Sequence, residues 1–574
     1  MFALQGKDKK FSPSDIVFLS VIVTILTLVS LYNISDFGVT WDLDIHYAEV
    51  ESYFDYFRTG SLDTSKVSDL VTQSRAFDKT NIIQKYSYND IFNYGPFSDL
   101  IGGFFNLIFN EKLHLLDLTR AFSLHVIIFI ALTVLLVYIF TLKNFGRLSA
   151  VIASLSLALF PRIIGHIGNL KDIPVMFFTT LTIVTFWKAT VSNKWHWYLI
   201  SGISIGLTAA VKAPINAAFI FIILVLWLLI INYKKIKYVK DRKIIEIPFK
   251  SLSIILYPIV AIISFFLVSP YYWVGLSELK KRLFLSIKWF FGNLPGYTFY
   301  MGESMRGIAT PWHYPFVMIA VTTPLSILIL AIVGIYSAIK QSIKLTNKAA
   351  LLVLLWLFLT LGKFAVPGTL TYNGIRLFLD AVPALCILSG VGFVFIYKKL
   401  KKTLNKKRLA LVTAVGILAI FLPLIFIMIE MHPYEGLYFN SLVGGVEGAN
   451  DQFEVEYWGG SYREGVAWIN ENAEESSSLV VPIAGYLAYY NHPREDINLI
   501  ESDNLGRSNI DLLKDAKKPI YIMYINSNAM INHYPGDDSI IKYTEQLKPV
   551  HVIDVRGATI LKIFKIEDEG ITSP

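Results

Sequence analysis

Apolar runs of about 20 residues recur along this chain, long enough to cross the hydrocarbon core of a bilayer as helices. In hydrocarbon every backbone N–H and C=O must be paired within the segment, which leaves such runs little choice but membrane-spanning helix. Windows beginning near Ile16, Phe122, Ser149, Ile173, Trp197, Ile215, Ser251, Phe316, Ala349, Ile375 and Leu409 predict about eleven spans. Several are short or interrupted, notably beside Pro161, Pro174 and Pro214, and Phe97 to Phe109 reads as a half-embedded helix or an extra span. Only 17% of the 574 residues are charged. Soluble domains carry about a quarter, so the composition agrees with a polytopic α-helical membrane protein.

The net charge of +8 sits in short basic clusters between the spans, a topology signal rather than a nucleic-acid surface. The clusters Lys7–Lys10, Lys143/Arg147, Lys188/Lys194, Lys234–Lys243, Lys340–Lys348 and Lys398–Arg408 all fall on one side if eleven spans are threaded in order. By the positive-inside rule that side is cytoplasmic. The expectation is a multi-pass protein of the plasma (inner) membrane, with a cytoplasmic N-terminus and an uncleaved first span as anchor. Three long segments then face outward: loops at 33–120 and 270–314, and everything from residue 431 on. Cys386 lies inside an apolar run, so no disulfide framework or Cys-based metal site is expected.

Residues 1–430 form the expected transmembrane module, and 431–574 shift towards soluble composition. Tyr462 to Ile469 has helical spacing, while Leu479–Ile483, Pro519–Ile525, Val550–Val555 and Ala558–Phe564 read as strands, with a turn at Arg556-Gly557. A small extracytoplasmic α/β domain follows.

The polar residues with chemical potential cluster in the outward segments. Asp42 and Asp44 follow the first span, and carboxylates beside a membrane span are a functional hypothesis by default. One could serve as general base to an acceptor hydroxyl; the pair could instead hold a divalent cation against a phosphate; both could be solvated loop residues. The connection Phe160 to Pro174 packs Arg162, His166, Lys171 and Asp172 together, more ionisable groups than a turn requires. Arg162 and Lys171 could neutralise a phosphate, or snorkel at the interface while Asp172 caps a helix. The aromatic segment around Trp312, His313 and Tyr314 reads as an interfacial belt or as a groove for a lipid chain and sugar. Arg376, after Tyr372-Asn373-Gly374, enters a span from the outside, which points to an anion partner or an ion pair with an outer Asp.

Together these residues resemble the polyprenyl-phosphate-sugar-dependent glycosyltransferases of the membrane-embedded GT-C class, in particular the protein O-mannosyltransferase and aminoarabinose-transferase branches. The likeness runs over essentially the whole chain. Gly38-Val39-Thr40-Trp41-Asp42 looks like the family's first-loop acidic motif, although Leu43 stands where a Glu is common and Asp44 comes one residue later. Asn169 to Pro174, Pro311 to Pro315, His432-Pro433-Tyr434 and Tyr438-Phe439-Asn440 are similar to further motifs of one branch. The resemblance implies an inverting sugar transfer from a polyprenyl-phosphate donor to a protein, lipid or glycan acceptor. It implies Asp42 as base, with Asp44 and Asp172 as further catalytic candidates. Arg162, Lys171 and Arg376 would bind the donor phosphate, and Trp312, His313 and Tyr372 would line the substrate groove. Some relatives use Mg or Mn and others none, so a metal at Asp42, Asp44 and Asp172 stays open. Membrane lipids are expected partners and nucleic acid is not. A transporter or lipid flippase is the rival reading; transporters favour internal repeats and mid-membrane charges, and neither is evident here.

Overall fold

The computed structural model describes residues 11–60, 95–212, 214–233, 237–239, 244–246, 253–273, 275–290, 296–501, 510–513, 516–533 and 539–567. Eight of the described helices are long and apolar enough to cross a membrane. Nine of the eleven expected starts fall on a helix; Ser251 lies outside the described residues, and Ile375 is the turn residue before Arg376–Ala381, which leads into Val382–Leu400. Three runs form shorter helices: Arg147–Ala158, Trp195–Val211 and Ser253–Leu267. The run from Phe316 is broken in two, Tyr314–Thr322 and Leu325–Ile343, because Pro324 supplies no N–H to carry the first helix onward. The stretch from Phe97 is a ten-residue helix that unwinds into a π-turn at Leu107–Lys112.

The elements that position the site are α1 (Pro13–Tyr32), α2 (Leu43–Thr59), α3 (Phe97–Asn106), α4 (Leu118–Phe145), α5 (Arg147–Ala158), α6 (Asp172–Ser192), α7 (Trp195–Val211), α8 (Pro214–Asn232), α9 (Lys348–Gly362), α10 (Val382–Leu400) and α11 (Lys406–Met431). Their ends are set by local chemistry. Ser12 and Asp15 form a capping box with Pro13 at the first position of α1, Asp117 accepts the Arg120 N–H at 2.8 Å for α4, and Asn405 caps α11 at 2.9 Å. Gly60 closes α2 in the left-handed region, φ 71°. At α6 the Asn169 side chain accepts from the N–H groups of both Lys171 (3.0 Å) and Asp172 (2.8 Å), so the helix starts at Asp172.

Burial ranks the spans. Helix α10 is enclosed from Val382 to Gly392, including Cys386, whereas α11 buries only Leu409, Phe421, Leu424 and Met431. An apolar helix left uncovered along most of its length is what a lipid-facing position demands.

The C-terminal part carries a five-stranded sheet of β1 (Ser478–Val481), β2 (Asn498–Glu501), β3 (Ile520–Ile525), β4 (His551–Val555) and β5 (Ala558–Ile566), in the order β2-β1-β3-β5-β4. β1 runs parallel to β2 and β3, and β5 runs antiparallel to β3 and β4. Val555 pairs with Ala558, leaving the two-residue turn Arg556-Gly557 with both φ angles positive, 49° and 87°.

The sheet domain grips the helix bundle through close backbone approaches. A Cβ added at Gly38 would lie 2.0 Å from the carbonyl oxygen of Gly460, and one at Gly165 would lie 2.0 Å from the N of Gly436. Hydrogen bonds run beside them: Trp41 N–H to Trp458 O at 3.0 Å, Thr40 Oγ1 to Gly168 O at 2.8 Å, and Tyr486 OH to Trp41 O at 2.6 Å. The segment before α2, the connection before α6 and the residues around 456–460 are thereby fixed against one another.

Candidate active site

Asp42 is the N-cap residue of α2, and its carboxylate is partly open, 23% exposed. Arg376 Nη2 donates to its Oδ2 at 3.0 Å; among the described residues Oδ1 has no hydrogen-bond partner. Because α2 begins at Leu43, the segment is helical from there rather than extended. Asp44 falls in the first turn, where its side chain lies outside the described residues.

Arg376 is 5% exposed and lies between aromatic faces, 4.4 Å from the Trp458 ring centre and 5.4 Å from that of Tyr372. It faces a second carboxylate as well: its Nε is 3.4 Å from Asp172 Oδ2. That carboxylate is fully engaged. Lys212 Nζ binds Oδ1, and Asn169 Nδ2 donates to Oδ2 at 2.9 Å. The result is a row Asp42–Arg376–Asp172–Lys212 of alternating charge, buried except at its Asp42 end.

Lys171 points into a different cluster. Its ammonium binds the Asp99 carboxylate, donates to Gly95 O at 2.6 Å, and lies 3.9 Å from Glu49 Oε2. His46 Nδ1 is 3.2 Å from the same Asp99 oxygen. Burial, with Asp99 as a like charge, pushes the Glu49 carboxyl well above its ordinary range against the pull of Lys171. Burial works on Asp99 in the same sense, but His46 and Lys171 outweigh it and bring that carboxyl down to about 2.

Arg162 is completely buried. Its Nε donates to Tyr438 O at 2.9 Å, its Nη1 to Tyr457 OH at 3.3 Å, and its guanidinium lies 4.6 Å from the Phe439 ring centre. Nη2 has no hydrogen-bond partner, and no carboxylate is paired with Arg162 among the described residues. Gly374 makes room for this group: a Cβ there would lie 2.8 Å from Nη1. His166 is buried beside it, with Nδ1 bonded to the Arg162 carbonyl, and burial draws its imidazole down to about 4, the neutral form.

Of the groove candidates, Tyr372 contacts Arg376 directly. Trp312 is 65% exposed, and His313 Nδ1 bonds Tyr300 OH at 2.7 Å. Among the described residues neither shares a contact with the charged row. Two residues enter that had not been singled out, Lys212 and, nearby, the buried Lys363. Each is a single lysine at the end of an apolar run; an ionisable group in that setting was the available signal.

Divalent metal has two places to be tested. At Asp42 and Asp172 three of the four carboxylate oxygens already face cations, so a further dication does not suit that pair. His46, Glu49 and Asp99 each bring a ligand atom within 4.8 Å of the others, but the Lys171 ammonium occupies Asp99.

Half of this row lies in one segment with a known likeness. Residues 117–273 match the family of dolichyl-phosphate-mannose-protein mannosyltransferases. The matched segment contains Arg162, Lys171, Asp172 and Lys212. The chain has no significant match among curated proteins. Among solved structures it is similar to ArnT from Cupriavidus metallidurans bound to undecaprenyl phosphate, at 13% identity and TM-score 0.49, covering 96% of this chain and 98% of that one. It is also similar to the archaeal oligosaccharyltransferase AglB from Archaeoglobus fulgidus with an inhibitory peptide and a dolichol-phosphate, at 12% identity and TM-score 0.48, covering 97% and 75%. The oligosaccharyltransferase of the same organism in complex with Zn and sulfate aligns at 13% identity and TM-score 0.41, covering 88% and 68%.

Proposed function

We propose that this multi-pass protein is a glycosyltransferase that moves a sugar from a polyprenyl-phosphate donor to an acceptor on the extracytoplasmic side, with Asp42 as catalytic base. One observation carries the assignment: of the two carboxylates in the charged row, Asp42 alone keeps an oxygen unengaged and open, while both oxygens of Asp172 are held by cations and an amide. A base must have a lone pair within reach of the proton it takes.

In this reading Arg376 fixes Oδ2, and Oδ1 accepts the proton of the acceptor hydroxyl or amine. The acceptor atom bonds to the anomeric carbon as the bond from that carbon to the phosphate oxygen breaks, and polyprenyl phosphate leaves with the electron pair. Asp172 keeps Arg376 and Lys212 in place rather than exchanging protons. Arg376 and Lys212 balance the two carboxylates of the row, and Arg162, paired with no carboxylate among the described residues, leaves one positive charge over, which suits a single phosphodiester. A lipid-linked donor needs no nucleotide fold, and the matched family's name describes a donor of this class.

The test offers a panel of radiolabelled polyprenyl-phosphate sugars, with membrane extract as the acceptor pool. Asp42→Asn is expected to lower turnover about 10²-fold or more while donor binding stays close to that of the unmodified protein. Undiminished turnover in Asp42→Asn refutes the base assignment; failure to consume any donor refutes the enzyme reading.

A further inference from the structure

Three lysines are buried among the described residues: Lys171, Lys212 and Lys363. The first two meet carboxylates directly. Lys363, just past the end of α9, does not. Its Nζ donates to Asn216 Oδ1 at 3.1 Å, the ring centres of Phe364 and Phe219 are 4.8 and 5.9 Å away, and among the described residues no carboxylate is paired with it. An ammonium has three protons to place. Taking one out of water costs several kcal/mol unless an anion compensates, and one amide with two aromatic faces is a poor substitute.

The surroundings indicate which anion. Asn216 is in the first turn of α8, four residues beyond Lys212. The Lys363–Asn216 bond thus ties Lys363 to the helix that starts beside Lys212, next to the charged row; the buried Asp380, in the short helix that begins with Arg376, pulls on Lys363 from a distance but forms no ion pair with it among the described residues. The two elements that carry Asn216 and Lys363 also present exposed apolar residues, Phe221 and Ile222 of α8 and Val366 three positions after Lys363. A ligand that pairs with Lys363 thus meets the site with one end and apolar span surface with the other. That is the chemistry of a phosphate on a long hydrocarbon chain. Lys171, the lysine the sequence offers for this task, already has its ammonium enclosed by Asp99 and Gly95.

We propose that Lys363, supported by Asn216, binds the phosphate of the lipid-linked donor. The inference rests on the glycosyltransferase reading above and adds a donor-contacting residue to it. Lys363 supplies a point charge to one phosphate oxygen, and the Asn216 amide N–H, which has no partner among the described residues, donates to a second.

Binding of radiolabelled polyprenyl phosphate to the full-length protein in nanodiscs tests this without needing an acceptor, with polyprenyl alcohol as the phosphate-free control. Lys363→Met is expected to weaken polyprenyl phosphate binding by about 30-fold or more, the usual loss on removing one partner of a buried charge pair. Lys363→Arg should retain most of the affinity, Asn216→Leu should fall between, and polyprenyl alcohol should bind all of them alike. The proposal is overturned if Lys363→Met binds polyprenyl phosphate as tightly as the unmodified protein. It is overturned equally if the affinity for the alcohol falls in parallel, which marks a disturbed fold rather than a lost phosphate contact. Should Lys363→Met fail to fold, Lys363→Arg and Asn216→Leu decide by the same comparison. If the unmodified protein itself ignores polyprenyl phosphate, the donor reading fails as a whole, an outcome distinct from an insensitive Lys363 variant.

Discussion

Gly38→Ala places one methyl group where the bundle and the sheet domain nearly touch. The new Cβ would stand 2.0 Å from the Gly460 carbonyl oxygen and 2.7 Å from the Gly460 carbonyl carbon and Cα, whereas ordinary contact begins near 3.4 Å. Both sides are backbone, so no flexible side chain can yield, and the segment must retreat by about 1.4 Å. That retreat strains the bonds Trp41 N–H to Trp458 O, Thr40 to Gly168 O and Tyr486 OH to Trp41 O. Overpacking of this kind costs about 1–3 kcal/mol, and each hydrogen bond lost adds about 1 kcal/mol. Asp42 is four residues further on, so its carboxylate shifts against Arg376 by a comparable distance. A misplacement of about 1 Å at a reacting group costs about 10²-fold in rate. Donor consumption in nanodiscs and a thermal melt should therefore show turnover down about 10²-fold and a melting temperature lower by about 5 °C. Gly416→Ala is the matched control, since nothing lies within 4 Å of its Cβ position in α11. Turnover and melting in Gly38→Ala that match Gly416→Ala would refute the claim that this contact sets the position of Asp42.

Two other expectations concern pH and metal, beside the Asp42 and Lys363 tests already given. Burial raises Glu454 from 4.5 to about 7, against hydrogen bonds from Ser527 Oγ and the Ala529 N–H that favour the carboxylate. A raised carboxyl means that the folded state keeps the proton longer than the unfolded one. Its contribution is full below pH 4.5 and is lost as pH climbs to about 7. That loss has an upper bound of about 3 kcal/mol, so melting temperatures taken between pH 5 and 8 should fall more steeply for the unmodified protein than for Glu454→Gln; parallel curves would remove Glu454 from the account. Washing with a chelator should leave donor consumption unchanged, because cations of the chain already face Asp42 and Asp172; loss of activity restored by Mg or Mn would overturn that.

The spans were legible because a bilayer imposes length and apolarity on any run that crosses it. The limits appeared where one residue overrides the pattern, as Pro324 does in dividing the run from Phe316. In the C-terminal part, long strands such as Ala558–Ile566 announce themselves by β-branched content, while Asn498–Glu501 is too short and its flanks too polar to do so. Asp42, Asp172 and Arg376 stood out individually, since carboxylates and a guanidinium beside spans are conspicuous. Their pairing did not, because Asp42 and Arg376 are 334 positions apart. Lys212 and Lys363 passed unnoticed for a physical reason: a lysine at a helix end ordinarily runs its stem along apolar surface and keeps its charge in water, and only tertiary packing shows that these two do not. A cation shared by Asp42 and Asp44 would need the segment extended, so that the two carboxylates lie on one face, and the helix that starts at Leu43 removes that premise.

Lys171 and Asp172 are neighbours in the chain, yet each completes a different ionic cluster, Lys171 with Asp99, Glu49 and His46, Asp172 with Arg376 and Lys212. The order of the two residues therefore carries information that their composition does not. Exchanging them would leave every charge total unaltered while setting an anion against two buried carboxyls and a cation against two buried cations. The dipeptide works as a polarity key: it allows the turn into α6 to seat against α2 and α3 on one side and the charged row on the other in a single orientation.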